Sequence, residues 1–450
     1  MNTRSVEHGI STSTYRDALR QAMSFFLTAS FFRSLSRLAP GWDRTLGWTL
    51  RNVIFQGVLM VFEPSPSLKD RFAGARGVLG AMFGGRKAPG QTYQGWVKAR
   101  RKISGKQRRY LKRHLRECHQ RVARAFGSRL GWQAFAVDGS RVEVPRTAAN
   151  EAALGCAGRD KTGPQLSLTV LYHLGTGLPW DWQIGRGTRS ERDLLRALIL
   201  TLPADALLVA DAGFVGYDLF RNLQARGLSF LIRVGANVNL LARLLDVDLQ
   251  TRGELVYLWP KGRREQSPLI LRLIRLQKAD RPAVYLVTNV LEDERLPDRT
   301  AAVLYQMRWG VELFYRSFKR TLDQHTMRSH APAEAKQELF WALTGHLLMG
   351  LMSIEPMTAR GRDPLALSVA GALRTIRTAL TEPKRWRGQG DLRRLLEKAV
   401  KDGYVRTGSK TARDWPHKKK DPLPGLPKIR EATEEEKHDA KRSYEKTVAA

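Results

Sequence analysis

Residues 165–174 read QLSLTVLYHL, and residues 206–210 read ALLVA. The first stretch alternates apolar and other residues with a period of two, the pattern of a strand with two unlike faces. The second is continuously apolar and short, the pattern of a strand buried on both faces. Working outward, Ala134–Val137 is another apolar run, and residues 141–144 alternate (Arg, Val, Glu, Val). Leu178–Ile184 is a third strand candidate, turned back by Gly175 and Gly177. Glu191–Leu202 reads as a helix, ALLVA as the next strand, Tyr217–Ala225 as a helix and Ser229–Val234 as a strand.

Three antiparallel strands followed by alternating helix and strand is the element order of a ribonuclease-H-like α/β sheet. Beyond it, residues 235–290 read as a β-rich insertion, with strand-like Leu255–Trp259, Leu269–Leu276 and Ala283–Val290 separated by Gly253, Gly262 and Pro268. From Pro297 the pattern is helical to about Thr326. A second helix is expected over Pro332–Ile354, with the proline at a first helical position. One or two more helices are expected over 364–403. The tail from Gly408 is basic and Pro-rich, then strongly charged, and is expected to be largely flexible. On the N-terminal side, Tyr15–Leu38 and Trp42–Phe62 read as helices, with Pro64, Pro66 and Gly84-Gly85 as breakers. The sequence therefore predicts a helical N-terminal domain (1–130), an α/β domain (131–345) and a helical C-terminal region (346–450).

Charge is the outstanding feature of the composition. The 450 residues carry 76 Lys+Arg against 43 Asp+Glu, a formal +33. Residues 1–130 hold 25 of the bases and 6 of the acids, so more than half of the surplus lies there. Twelve bases fall between Lys98 and Arg124, among them Arg109, Lys112 and Arg113, with Glu117 as the one acid. Their spacing is helical, and Tyr110, Leu111, Leu115 and Val122 are available for an apolar side. A surplus this large and this concentrated points to a polyanionic partner, with DNA first. A solvated basic surface is the plainer alternative. Cys118 and Cys156 have no metal-type spacing and read as reduced thiols of a cytoplasmic protein. No signal peptide or membrane span is expected; the late apolar stretch Leu339–Ile354 is too short to cross a bilayer and carries His346. The Gly-rich stretch near Gly84 lacks a phosphate-loop Lys-Ser/Thr, which removes a nucleotide site of that kind.

Asp138 follows the first apolar run, and Asp211 follows ALLVA. A carboxylate at the end of a buried strand costs stability unless something uses it. Two of them on neighbouring strands would offer hard oxygen donors suited to Mg²⁺ or Mn²⁺, and a third carboxylate from a helix would complete a two-metal site. Each aspartate alone reads equally as a turn or capping residue. Asp193, Asp205 and Asp218 fit capping or exposure better, and His173 and His325 fit structural roles. The helix after Pro297 supplies a third carboxylate: Tyr305, Arg308, Glu312 and Lys319 lie close to whole turns apart and would share one face. A Glu flanked by Arg and Lys on one stripe suits metal beside phosphate; an exposed helix with an Arg308–Glu312 i,i+4 pair is the alternative.

At this point the sequence resembles a known family. The string YQMRWGVELFYRSFK (305–319) matches the Y-(2)-R-(3)-E-(6)-K signature of DDE transposases of the insertion-sequence-four type. The VDGS and ADAGF aspartates and the VYLVTN strand are similar to that family too. The likeness covers about residues 131–345 and extends loosely to WPHKKKDPLPGLPKIREAT near the C-terminus. It departs where members often carry a polar residue after the second aspartate; here stands Ala212.

The resemblance implies that Asp138, Asp211 and Glu312 hold two Mg²⁺ or Mn²⁺ ions, and that Tyr305, Arg308 and Lys319 contact phosphates at the transposon end. It implies hydrolysis and strand transfer at terminal inverted repeats, by a homodimer acting on double-stranded DNA in the bacterial cytoplasm, at the nucleoid. Several such enzymes hold a flipped base on an aromatic ring. Trp259, Trp309 and Tyr285 are the candidates here, each of which equally reads as packing. The rival readings are a nuclease on the same fold that does not join strands, and an inactive transposase-derived DNA-binding protein.

Overall fold

The computed structural model describes residues 15–40, 42, 47–83, 90–157, 163–246, 254–277, 282–381, 392–403 and 425–448. The expected breaker Gly84-Gly85, residue 408 and most of the Pro-rich stretch after it lie outside the described residues. The fold is mixed α/β. It divides into two compact units: residues 1–125 with 317–401, and residues 126–316 with 402–450.

Among the described residues, the second unit is built on one ten-stranded sheet. Its strands are β1 (Ala134–Glu143), β2 (Gln165–His173), β3 (Leu178–Arg186), β4 (Leu207–Ala210), β5 (Ser229–Val234), β6 (Asn239–Ala242), β7 (Glu254–Leu258), β8 (Leu269–Leu276), β9 (Val284–Thr288) and β10 (Lys428–Glu431). Their order across the sheet is β10-β6-β7-β8-β9-β5-β4-β1-β2-β3. β1, β2 and β3 form the expected antiparallel meander. β4 runs parallel to β1, and β5 parallel to β4. β4 is buried along its whole length, as a continuous apolar run between two parallel neighbours requires.

The β-rich stretch continues the main sheet. β9 pairs antiparallel with β5, so β6–β9 continue the same sheet. Asn289, just after β9, accepts from Phe230 N–H at 2.8 Å and donates to Leu228 O at 3.0 Å, fixing that junction. The C-terminal segment adds the edge: β10 runs parallel to β6, and the helix Glu434–Val448 follows. The expectation of a largely flexible tail is therefore corrected over 425–448. Glu436 there is held well below the usual carboxylate range, at about 2, chiefly by its hydrogen bond from Arg430, with Arg264 also bound to it.

The faces of β1 sort the helices. Phe135 and Val137 pack with Leu195 and Leu198 of the helix Glu191–Ile199 in one core. Ala136 and Asp138 point to the other face, where the helix Trp309–Arg316 lies. Gly310 of that helix sits on the ring of Tyr172, the cross-strand partner of Ala136; a Cβ there would come within 2.8 Å of the ring.

The first unit is helical. Leu50–Phe62 is buried on nearly every side, as expected of an apolar helix without a polar face. Gly57 on it faces Trp341, and Gly345 faces Val61; added Cβ atoms would fall 2.7 and 2.9 Å from those side chains, so both glycines permit close approach of the helix Pro332–Ala359. Pro332 takes the expected first helical position. The helix expected over Tyr15–Leu38 is two, Tyr15–Phe26 and Ala29–Arg37, because Thr28 accepts from Phe31 N–H at 3.1 Å and caps a new start. The helix expected from Trp42 begins at Leu50, capped by Thr49. Gly105–Val122 is the basic helix, opened by a capping box of Ser104 and Gln107. Leu111 and Leu115 are buried and Tyr110 and Val122 half-buried, while Arg109 and Arg113 are exposed and Lys112 half-buried.

Candidate active site

Asp138 does not end its strand, as the sequence suggested; β1 continues to Glu143. It marks the point where β1 loses a neighbour: β4 pairs with β1 only through Ala136. The Gly139 N–H is instead taken by the Asp138 carboxylate, at 2.8 Å. Asp211 follows β4 directly and accepts from Gly213 N–H at 2.9 Å, capping a one-turn helix. Asp211 thus also plays the local capping role that it alone suggested, whereas Asp138, mid-strand, makes no turn. They lie at one edge region of the sheet, where the termination of β4 leaves β1 uncovered.

The signature helix is not one helix. Asp298–Met307 carries Tyr305, the chain breaks at Arg308, Trp309–Arg316 carries Glu312, and Ser317–Thr321 is π-wound and carries Lys319. Tyr305, Arg308 and Glu312 keep the expected common face, while Lys319 falls in the first compact unit. Arg308 is 8% exposed and donates to Glu312 Oε1 at 2.9 Å. Its guanidinium lies 5.6 Å from the Tyr305 ring centroid and 5.8 Å from that of Trp309. Burial raises the Tyr305 hydroxyl above its ordinary value, against the neighbouring Arg308 and Arg233.

The carboxylates feel one another. Burial pushes Asp138 up to about 7, and the charges of Asp211 and Glu191 add to the rise. Burial also raises Glu312, opposed by its bond from Arg308 and assisted by Asp211. Glu191, the first residue of the helix Glu191–Ile199, is raised by burial and then by Asp211. Tyr315, one turn beyond Glu312, is buried and donates to the backbone oxygens of Asp138 (2.8 Å) and Leu168 (3.3 Å), tying the Glu312 helix to β1 and β2. Glu191, Tyr315 and Arg233 were not singled out from the sequence. An acid in the first turn of a helix and a tyrosine in an apolar run look ordinary there.

Could this set hold a metal? Its donors are carboxylate oxygens alone, which suits Mg²⁺ or Mn²⁺ and neither zinc nor copper. A desolvated acid raised by neighbouring acids is also what a divalent cation would relieve. Among the described residues no three Asp, Glu, His or Cys side chains converge tightly enough for a single ion. The chemistry of the donors fits; Glu312 is meanwhile engaged with Arg308.

Other sequence candidates sort more plainly. Trp259 is 3% exposed, with Arg264 stacked 4.0 Å from its ring centroid and its indole N–H given to Gln266 O. Tyr285 is half-buried beside Arg275. Trp309 is 57% exposed. His173 is buried against Thr176, and burial lowers it to about 4. Asp193 sits beside Arg196, and Asp218 beside Arg263. No described helix is long and apolar enough to cross a membrane.

Comparison with known proteins adds the family. The profile of the transposase DDE domain matches residues 131–348. Transposase InsG for insertion sequence element IS4 of Escherichia coli (strain K12) is 26% identical over 238 residues, covering 50% of this chain and 53% of that protein. The chain thus spans about half the length of the curated relative it matches. Among solved structures, a piggyBac transposase synaptic complex with hairpin DNA aligns at 13% identity and a TM-score of 0.41, over 89% of this chain and 88% of that one. Residues 131–348 thus match the transposase DDE domain, and the chain is similar there to the IS4-element transposase and carries the Tyr305–Lys319 signature.

Proposed function

We propose that the chain is a DNA transposase. It cuts at terminal inverted repeats and joins the freed ends to target DNA, in cut-and-paste transposition. The catalytic core is read as ribonuclease-H-like: β3-β2-β1-β4-β5, with three antiparallel strands and two parallel ones, is the order that this fold requires. The observation that carries the proposal is the placement of the three acids: Asp138 within β1 where β4 stops pairing, Asp211 directly after β4, and Glu312 on the helix that Tyr315 ties to the Asp138 backbone.

Asp138, Asp211 and Glu312 would hold the divalent cations. When bound, these would activate the attacking oxygen and stabilise the leaving oxygen at phosphorus. The chain's own groups do the rest. Arg308 orients Glu312 and is placed to neutralise a phosphate oxygen once that bond loosens. Tyr305 and Lys319 are assigned to phosphates of the transposon end. Tyr315 keeps the Glu312 helix in register with β1. Trp309, exposed beside Arg308, is the aromatic platform of choice for an extruded base. The helical segment 1–130 is assigned to DNA binding, with Arg109, Lys112 and Arg113 on its basic helix. A homodimer bringing two ends together completes the proposal.

The test is a cleavage-and-joining assay with purified protein, a duplex carrying the element's own end, and Mg²⁺ or Mn²⁺. Nicking followed by strand transfer, both lost in Asp138→Ala with end binding kept, is the expected result. Cleavage that never leads to joining would mean a nuclease instead. Binding lost together with cleavage in Asp138→Ala would remove the assigned metal role.

A further inference from the structure

The three carboxylates of the family signature leave out a fourth acid at the same edge. Gly139 follows Asp138 on β1, and its missing side chain leaves a gap that is filled. A Cβ built on Gly139 would lie 2.0 Å from Cδ and 2.1 Å from Oε1 of Glu191. The Glu191 carboxyl group therefore rests directly against the backbone that carries Asp138. It comes from the opposite side: the Glu191–Ile199 helix packs on the Phe135 and Val137 face, whereas the Glu312 helix packs on the Tyr172 face. Adjacent strand residues point to opposite faces, so an acid on the far side would ordinarily be screened from Asp138 by the strand itself. A glycine at the one position between them removes that screen.

Its place in the first turn of its helix suits Glu191 to the helix dipole, but does not require its carboxyl group to lie against Gly139. No hydrogen bond or ion pair to its carboxylate occurs among the described residues, although Arg141 lies near enough to be felt. Glu191 is partly buried beside two further acids, Asp138 and Asp211. Arg141 relieves this crowding of acids only in part, since Glu191 stays raised, and a divalent cation would relieve it further.

We propose that Glu191, seated on Gly139, is a fourth metal-facing carboxylate of this site, so that cations are gripped from both faces of the sheet by two helices. The inference rests on the metal-dependent reading of Asp138, Asp211 and Glu312. Its role is to bring a further oxygen donor, direct or through a metal-bound water, to the cation nearest Asp138.

The experiment measures Mn²⁺ binding to the full-length protein by calorimetry, without DNA, together with the Mn²⁺-induced rise in melting temperature. Glu191→Gln keeps shape and removes charge. It is expected to weaken Mn²⁺ about 10–100-fold and to shrink the thermal shift, while melting in chelator stays at or above the wild-type value. Asp138→Ala runs beside it. If Asp138→Ala loses Mn²⁺ and Glu191→Gln binds as wild type, Glu191 is not a metal-facing group and the inference is overturned. If neither variant changes Mn²⁺ binding, the metal-site reading itself is wrong. Should Glu191→Gln lower the melting temperature in chelator, Glu191→Asp separates the cases: recovered Mn²⁺ affinity supports the proposal, and recovered stability without affinity overturns it.

Discussion

Replacing Asp138 by Asn should stabilise the metal-free protein, and only at higher pH. Asp138 ionises at about 7 in the fold against an ordinary 3.8, because it is buried and faces Asp211 and Glu191. An acid whose folded value is raised gives its full stability below the unfolded value and loses it as pH climbs through the folded one. The window is therefore about pH 4 to 7. With about 1.4 kcal/mol for each pH unit between the two values, the wild type loses about 3 kcal/mol between about pH 5 and pH 8 through this one group. The asparagine side chain cannot ionise, yet it keeps an oxygen able to accept from Gly139 N–H. At roughly 2–4 °C per kcal/mol for a unit of this size, the mutant should gain about 6–12 °C over wild type on going from the lower pH to the higher. Differential scanning calorimetry in chelator at both pH values reads this directly. A mutant-minus-wild-type difference that does not change with pH, or a mutant less stable at about pH 8, would refute the claim that Asp138 carries a desolvated charge. Added Mn²⁺ should raise the wild-type melting temperature and leave the mutant nearly unmoved.

Three further outcomes are expected. Arg272→Ala removes a fully buried guanidinium that holds Asp293 at 2.8 Å and Leu296 O at 2.5 Å, just ahead of the helix bearing Tyr305; the unpaired acceptors should cost about 3–5 kcal/mol, read as a fall in melting temperature with cleavage falling in parallel. Alanine at Arg109, Lys112 and Arg113 together should reduce the salt slope of end binding by up to about 0.9 for each phosphate no longer neutralised, in filter-binding titrations, with the Mn²⁺ requirement for cleavage unchanged. Gly310→Ala sets a Cβ 2.8 Å from the buried Tyr172 ring; the Glu312 helix must lift from the sheet, and cleavage should drop at least about tenfold while end binding stays within about twofold, in single-turnover assays and gel shifts.

The part of the fold legible in the sequence was the part whose burial follows local periodicity. Alternation in 165–174, the short apolar run in 206–210 and the strand Ser229–Val234 each lie where the structure has them. What escaped depends on pairing at long range. Nothing local in 284–288 says that it joins β5 and so carries β6–β8 into the main sheet. Nothing in Lys428–Glu431, a charged segment after a Pro-rich one, says that β6 offers it an edge. The apolar run before Asp138 suggests a strand that ends there; β1 instead runs on through Gly139, which makes room for Glu191. In the same way the spacing of Tyr305, Arg308, Glu312 and Lys319 was visible, but not the break at Arg308 or the π-wound turn after Arg316. Those turn on how the backbone satisfies its hydrogen bonds, which residue type does not fix.

The chain enters each compact unit twice: residues 1–125, then 126–316, then 317–401, then 402–450. One of these crossings falls between Arg316 and Ser317, inside the signature that bears Glu312 and Lys319. No single cut can therefore release either unit with all its segments. A fragment limited to residues 131–348, the span of the family match, would lack β10 and leave the β6 edge open to pair with another molecule. A chain stopped just after residue 402 would keep every described segment of the helical unit and lose the sheet's outermost strand. During synthesis that strand emerges after almost all of the other described segments, so the ten-stranded sheet is completed only once the helical unit has been made.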